Sequence, residues 1–235
     1  NVEGRGFGDV TAAMGAGTDE NAMGSVVEDL DGDGRLDWFV SSIFAAADGP
    51  GCRSDLPQVG CTGNRLFTMT DDGTFTDATD AVGVRDADWA WGAVGDDLDN
   101  DGQRDLAVVN GYQTPSMLDP TSEAMFGEAF RSFAEPRPTL WRGRPDGPWG
   151  ESAEQVGFVG TGLAKSLATF DQDGDGLLDL VVGNSDRPPQ LFRNETAPGG
   201  RWLRVDLRDP TTKNTRGIGA HLEVLDAAGA SLGVT

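Results

Sequence analysis

Basic residues are scarce in this chain. Its 235 residues hold 18 Lys+Arg against 39 Asp+Glu, a formal net charge of −21 with a pI near 4.1. That balance argues against a nucleic-acid partner, because the phosphate backbone is bound by basic surfaces. Histidine occurs once, as His221, so neither a Ser-His-Asp triad nor a His-held metal centre finds support. No apolar run approaches the roughly 18 residues of a membrane-spanning helix, so no transmembrane segment is expected. No initiator Met and no basic-then-apolar leader precede Asn1; the expectation is a removed leader or an internal piece of a longer polypeptide. Cysteine is nearly absent. Cys52 and Cys61 lie in a Gly/Pro-rich stretch, a spacing that fits a short disulfide-closed loop in an exported protein, whereas two free thiols would fit a cytosolic chain.

What is abundant is aspartate. The chain has 29 Asp but only 10 Glu, and 34 Gly. Glu suits helical surfaces, while Asp and Gly prefer turns, caps and metal loops, so the composition points to a turn-rich, all-β protein. A hydrophobic content of 37%, with six Trp and eleven Phe, separates the chain from acidic disordered tails.

Much of the aspartate falls into a repeat. Asp29-Leu-Asp31-Gly-Asp33-Gly-Arg35-Leu-Asp37, Asp97-Leu-Asp99-Asn-Asp101-Gly-Gln103-Arg-Asp105 and Asp171-Gln-Asp173-Gly-Asp175-Gly-Leu177-Leu-Asp179 all obey D-x-D-x-D-G-x-x-D. An aromatic stands 22 residues before each: Phe7, Phe75 and Trp149. Apolar residues precede every loop, and an uninterrupted β-prone run follows it (Trp38–Val40, Leu106–Val109, Leu180–Val182), the pattern of a strand buried on both faces. A Leu-aromatic pair, a tight Asp-Gly turn and another aromatic strand complete the unit. About four short strands per unit is the grammar of a propeller blade. The units lie near 1–83, 84–160 and 161–196, with a further β segment over 197–235. The connection over 113–136 is inflated. Within it, Phe126, Phe130 and Phe133 at i, i+4, i+7 predict a short amphipathic helix whose Phe face packs on the blade; a partner-binding insertion is the alternative.

Alternating carboxylates on a tight loop suit a small hard cation. Positions 1, 3, 5 and 9 offer carboxylates, and the carbonyl of position 7 (Arg35, Gln103, Leu177) is expected to complete the shell with water. Gly34, Gly102 and Gly176 permit the positive φ of the turn. An EF-hand is excluded: its twelfth residue is a bidentate Glu, whereas Val40, Val108 and Val182 stand here, in runs that read as strands. Like charges packed within nine residues repel unless a cation compensates, so three Ca²⁺ sites are expected, with a structural role.

These loops, with Gly73-Thr-Phe-Thr-Asp-Ala-Thr79 downstream, resemble the FG-GAP/VCBS repeats of integrin-α-like β-propellers. Pro189-Gln-Leu-Phe-Arg-Asn194, Arg201-Trp-Leu-Arg-Val-Asp-Leu207 and Thr215-Arg-Gly-Ile-Gly-Ala-His-Leu-Glu-Val224 resemble the junction into an ASPIC/UnbV segment, a combination found in the cartilage-acidic-protein-like family. The resemblance implies calcium on the twelve Asp residues and an extracellular, periplasmic or cell-surface protein. It also implies a non-catalytic scaffold or adhesion module with protein partners or self-assembly. A subunit of a larger exported or membrane-peripheral assembly, and a carbohydrate-binding or carbohydrate-active propeller, are the alternatives. A closed propeller needs at least four blades, so three loops imply part of a longer protein.

Overall fold

The computed structural model describes residues 6–17, 21–44, 62–112, 133, 136–229 and 231–234. Strand β1 (Gly24–Glu28) runs into the first Asp loop and β2 (Asp37–Ser41) runs out of it; β3 (Arg65–Met69) and β4 (Phe75–Asp77) follow, then one helical turn, α1 (Thr79–Val82). The second loop lies between β5 (Ala90–Asp96) and β6 (Asp105–Asn110), followed by β7 (Thr139–Arg142) and β8 (Gly150–Glu151). The third joins β9 (Ala164–Phe170) to β10 (Asp179–Asn184), followed by β11 (Gln190–Phe192); β12 (Glu223–Leu225) and β13 (Ser231–Val234) form a terminal hairpin. Among the described residues the sheets run β1-β2-β3-β4, β5-β6-β7-β8 and β11-β10-β9, every pairing is antiparallel, and none closes into a barrel. The chain is therefore all-β, as its composition predicts.

Each Asp loop is a hairpin connection, with Glu28 opposite Asp37, Asp96 opposite Asp105 and Phe170 opposite Asp179. The ninth loop residue is thus also the first residue of a strand. In β6 all six residues are buried, and consecutive side chains serve different cores. Leu106 and Val108 join Phe39, Leu66, Trp141 and Trp149 between the first two sheets, whereas Ala107 and Val109 join Leu140, Phe158, Leu180 and Val182 between the second and third. That division is why the run does not alternate: both pleat faces are wrapped in apolar neighbours.

The first strands of the three sheets lie side by side, β1 against β5 and β5 against β9. Glycine permits the approach: a Cβ on Gly92 would stand 2.6 Å from the amide nitrogen of Leu167. Spacing these two strands for a larger residue would separate the second and third sheets and open the core between them.

Phe75 opens β4 and Trp149 immediately precedes β8, but Phe7, equally placed in the repeat, is fully exposed and outside any strand. Its local turn is still that of its counterpart. Thr11 donates from its amide to Asp9 Oδ1 at 3.0 Å, as Thr79 does to Asp77 Oδ1 at 3.0 Å. What differs is the neighbour: β3 lies alongside Phe75, and no described strand lies alongside Phe7. The predicted helix bearing Phe126, Phe130 and Phe133 lies outside the described residues except for Phe133, which is buried edge-on to Trp89. Cys52 and Cys61 also lie outside them.

Candidate metal centres

The three loops share one local geometry, built from short side chains that fold back on their own backbone. The carboxylate at position 1 accepts the amide of position 6: Gly34 to Asp29 Oδ2 at 3.1 Å, Gly102 to Asp97 Oδ2 at 2.9 Å, Gly176 to Asp171 Oδ2 at 3.1 Å. Position 5 accepts the amide of position 7: Arg35 to Asp33 Oδ1 at 2.9 Å, Gln103 to Asp101 Oδ1 at 2.8 Å, Leu177 to Asp175 Oδ1 at 2.9 Å. Position 6 is left-handed in all three loops, at φ 87°, 91° and 87°. Position 4 is left-handed too, at φ 77° for Gly32, 56° for Asn100 and 80° for Gly174. The sequence reading missed this second requirement, although Gly-Asn-Gly at that position is its signature, since Asn is the non-glycine residue most tolerant of positive φ.

The folding gathers Asp29, Asp31 and Asp33; Asp97, Asp99 and Asp101; and Asp171, Asp173 and Asp175, each triplet offering three carboxylate oxygens within 4.8 Å of one another. Each triplet could hold a metal ion. Hard oxygen donors at this spacing fit a hard divalent cation. Asp29 is 4% exposed, and its Oδ1 is buried without a hydrogen-bond partner; Asp99 Oδ1 is likewise buried and unpartnered. A buried, unsatisfied carboxylate oxygen is costly unless something cationic or protic meets it. Burial pushes the carboxyls of Asp31 and Asp97 above the usual carboxylate range, the direction a cation at the site would reverse.

The ninth-position aspartates are placed differently. Asp37, Asp105 and Asp179 are at most 2% exposed and stand outside the triplets. One oxygen of each accepts an amide of its own loop: Leu30 to Asp37 at 2.9 Å, Leu98 to Asp105 at 3.2 Å, Gln172 to Asp179 at 2.9 Å. The other accepts an amide at the end of the third strand or just beyond it: Met69 at 3.0 Å, Gly143 at 3.0 Å, Asn194 at 2.8 Å. These side chains tie the loop to the sheet. Burial pushes the Asp37 carboxyl up to about 6 and that of Asp105 up to about 7, against the opposing pull of these amides.

Arginines also reach the loops. Arg142 contacts Asp99 and lies 3.4 Å from Asp105, while Arg193 contacts Asp173 at 2.6 Å and Asp175 at 3.7 Å. In the first loop Arg35 contacts Asp33 and, at 2.9 Å, Asp71. The sequence reading missed Arg142 and Arg193, whose only signal is the pattern Leu140-Trp-Arg142 and Leu191-Phe-Arg193.

The chain after β11 crosses the second and third loops. The Asn194 side-chain amide donates to the carbonyls of Leu98 and Leu178, and the Gly199 amide donates to the Asp99 carbonyl at 2.7 Å. Trp202 lies on Gly176 so closely that a Cβ there would meet its Nε1 at 1.9 Å. Most other aromatic faces are used internally: Trp141 and Trp149 are buried, and Trp89 stacks on Tyr112 at 4.4 Å. His221 is exposed in the tail. Among the described residues, no helix is long and apolar enough to cross a membrane. Compared with known proteins, the chain matches no protein-family model and no curated protein.

Proposed function

We propose that this chain is a calcium-stabilised β-propeller segment of the FG-GAP/VCBS type, leading into an ASPIC/UnbV-like segment, and that it serves as a non-catalytic exported scaffold or adhesion module. The observation that carries the reading is the thrice-built carboxylate triplet, each in a hairpin between core strands, with Asp29 Oδ1 buried and unpartnered. Its support for calcium over magnesium is chemical. The triplets are all-oxygen sets with further carbonyl and carboxylate oxygens close by, which suit the six to eight ligands of Ca²⁺, whereas Mg²⁺ keeps more of its water and demands stricter octahedral geometry. The carbonyls of Arg35, Gln103 and Leu177 and the ninth-position carboxylates, which keep lone pairs free after accepting amides, would complete the shell.

The role of the metal follows from position. Each loop links two strands whose side chains fill the cores, so an ion bound only to the folded state stabilises the sheets themselves. With three Ca²⁺ bound, the formal charge of −21 falls to −15, so part of the acidity is an inventory of metal ligands and the rest an acidic surface. Calorimetric titration with Ca²⁺ after exhaustive chelation is expected to give three sites, and chelation to lower the melting temperature. Absence of saturable Ca²⁺ binding together with an unchanged melt would sink the metal reading. Thiol alkylation before and after reduction tests the exported location: a Cys52–Cys61 disulfide protects both thiols until reduction.

A further inference from the structure

The strand register places one residue of each third strand beside the loop. Trp38 pairs with Phe67, Leu106 with Trp141 and Leu180 with Phe192. The next residue along the chain then falls level with the ninth loop position: Thr68 in β3, Arg142 in β7 and Arg193 just past β11. In the second and third sheets the guanidinium reaches the position-3 carboxylate of the triplet, Asp99 or Asp173. Arg142 takes Asp99 Oδ2 and leaves Oδ1 buried and unpartnered, so one oxygen faces the arginine while the other remains for a cation. In the first sheet a threonine stands there, and the loop's own Arg35 is shared between Asp33 and Asp71. The first loop thus holds its four motif aspartates and Asp71 against one guanidinium, and the third holds four against one; in the second, Arg104 is paired outside the triplet with Asp96 at 3.7 Å, which leaves its four motif aspartates against Arg142.

We propose that Arg142 and Arg193 are built-in counter-cations that let the second and third loops keep their carboxylates together without metal, and so set those sites to a weaker affinity than the first. The inference rests on the reading of the triplets as divalent-cation sites. Its physics has two parts that act in the same direction. Without metal, a guanidinium against the triplet offsets carboxylate repulsion and stabilises the loop. With metal, the same positive charge a few ångströms from a divalent ion repels it; even in a water-like dielectric, about 5 Å between them is worth about a factor of ten in affinity. Both effects narrow the gap between the metal-free and loaded states. Arginine suits the role because it stays charged at any working pH.

The test is calorimetric titration of the whole chain with Ca²⁺, for the unmodified protein, Arg142→Gln, Arg193→Gln and Thr68→Arg, alongside melting in chelator and in Ca²⁺. The expected result is one tight and two weaker sites in the unmodified chain. One weaker site should tighten about tenfold in each glutamine variant, and the tight site should weaken in Thr68→Arg. Arg142→Gln and Arg193→Gln are expected to melt lower in chelator and to gain more from Ca²⁺ than the unmodified chain, a divergence that simple loss of packing would not produce. Unchanged or weaker Ca²⁺ binding in both glutamine variants, with the unmodified chain binding normally, overturns the inference while leaving the calcium reading intact. Absence of binding by the unmodified chain fails the calcium reading instead. Should a glutamine variant fail to fold, Thr68→Arg decides alone: a first site of unchanged affinity overturns the inference.

Discussion

Asp29→Asn separates a metal ligand from a structural carboxylate, because it is expected to act with opposite sign in the two metal states. Asp29 is 4% exposed; its Oδ2 accepts the Gly34 amide at 3.1 Å, and its Oδ1 is buried with no partner. Asparagine has nearly the same shape. Its single carbonyl oxygen keeps the bond from Gly34, and its NH₂ group takes the place of Oδ1, facing the Asp31 and Asp33 carboxylates that lie within 4.8 Å. Without metal, the substitution therefore removes one of the crowded charges and satisfies a buried position, a gain of about 1 kcal/mol. With Ca²⁺ at about a hundred times its dissociation constant, each filled site contributes about 2.7 kcal/mol, and the variant loses that contribution at the first loop. The net in Ca²⁺ is a loss of about 2 kcal/mol. For a chain of this size 1 kcal/mol is worth about 2–4 °C, so the variant should melt about 4–8 °C lower in Ca²⁺ and a few degrees higher in chelator. Denaturant titration in both conditions gives the free energies directly. Equal destabilisation with and without Ca²⁺ would refute the reasoning, because it would assign Asp29 to the Gly34 turn alone.

Asp179→Ala should behave differently. It leaves the amides of Gln172 and Asn194 without their shared acceptor and is expected to cost about 3 kcal/mol in chelator, with a further loss in Ca²⁺ because the same carboxylate completes the proposed shell, read by denaturant titration in both conditions. Asp88, in a left-handed turn with φ 55° and outside the loops, reports through pH. Burial, reinforced by the neighbouring Asp86 and opposed by Arg137, pushes its carboxyl up to about 6. A carboxyl raised in the folded state binds protons more tightly there, so its contribution makes the protein more stable as pH falls from about 7 to about 4. Asp88→Asn should remove that gain, measured as the difference between the two pH–stability curves; superimposable curves would show that Asp88 does not titrate in this range.

How much of the site is legible in the sequence depends on how far apart its parts are. The turn at positions 1 to 7 is closed by side chains accepting amides two to five residues away, so D-x-D-x-D-G carries it in all three loops. The ninth aspartate is in the motif, yet its second partner is Met69, Gly143 or Asn194, at or just beyond the end of the neighbouring strand and 15 to 38 residues away, and no local pattern announces it. The left-handed fourth position was legible in Gly32, Asn100 and Gly174 but is hidden by the x in the motif. Phe7 shows the converse limit: its spacing copies that of Phe75, but an aromatic packs only where a neighbouring strand receives it.

By itself the sequence determined the all-β class, the three aspartate turns and the doubly buried strands, because each follows from backbone preference or apolar patterning within about ten residues. Only the tertiary structure decided which side chains share a site. Arg142 lies 43 residues from Asp99, and whether it meets the triplet or solvent depends on the register of β6 on β7, where a one-residue slip would turn it to the opposite face. The same register puts Thr68 where the other sheets have arginine, so loops nearly identical in motif acquire different charge from what the fold lays beside them.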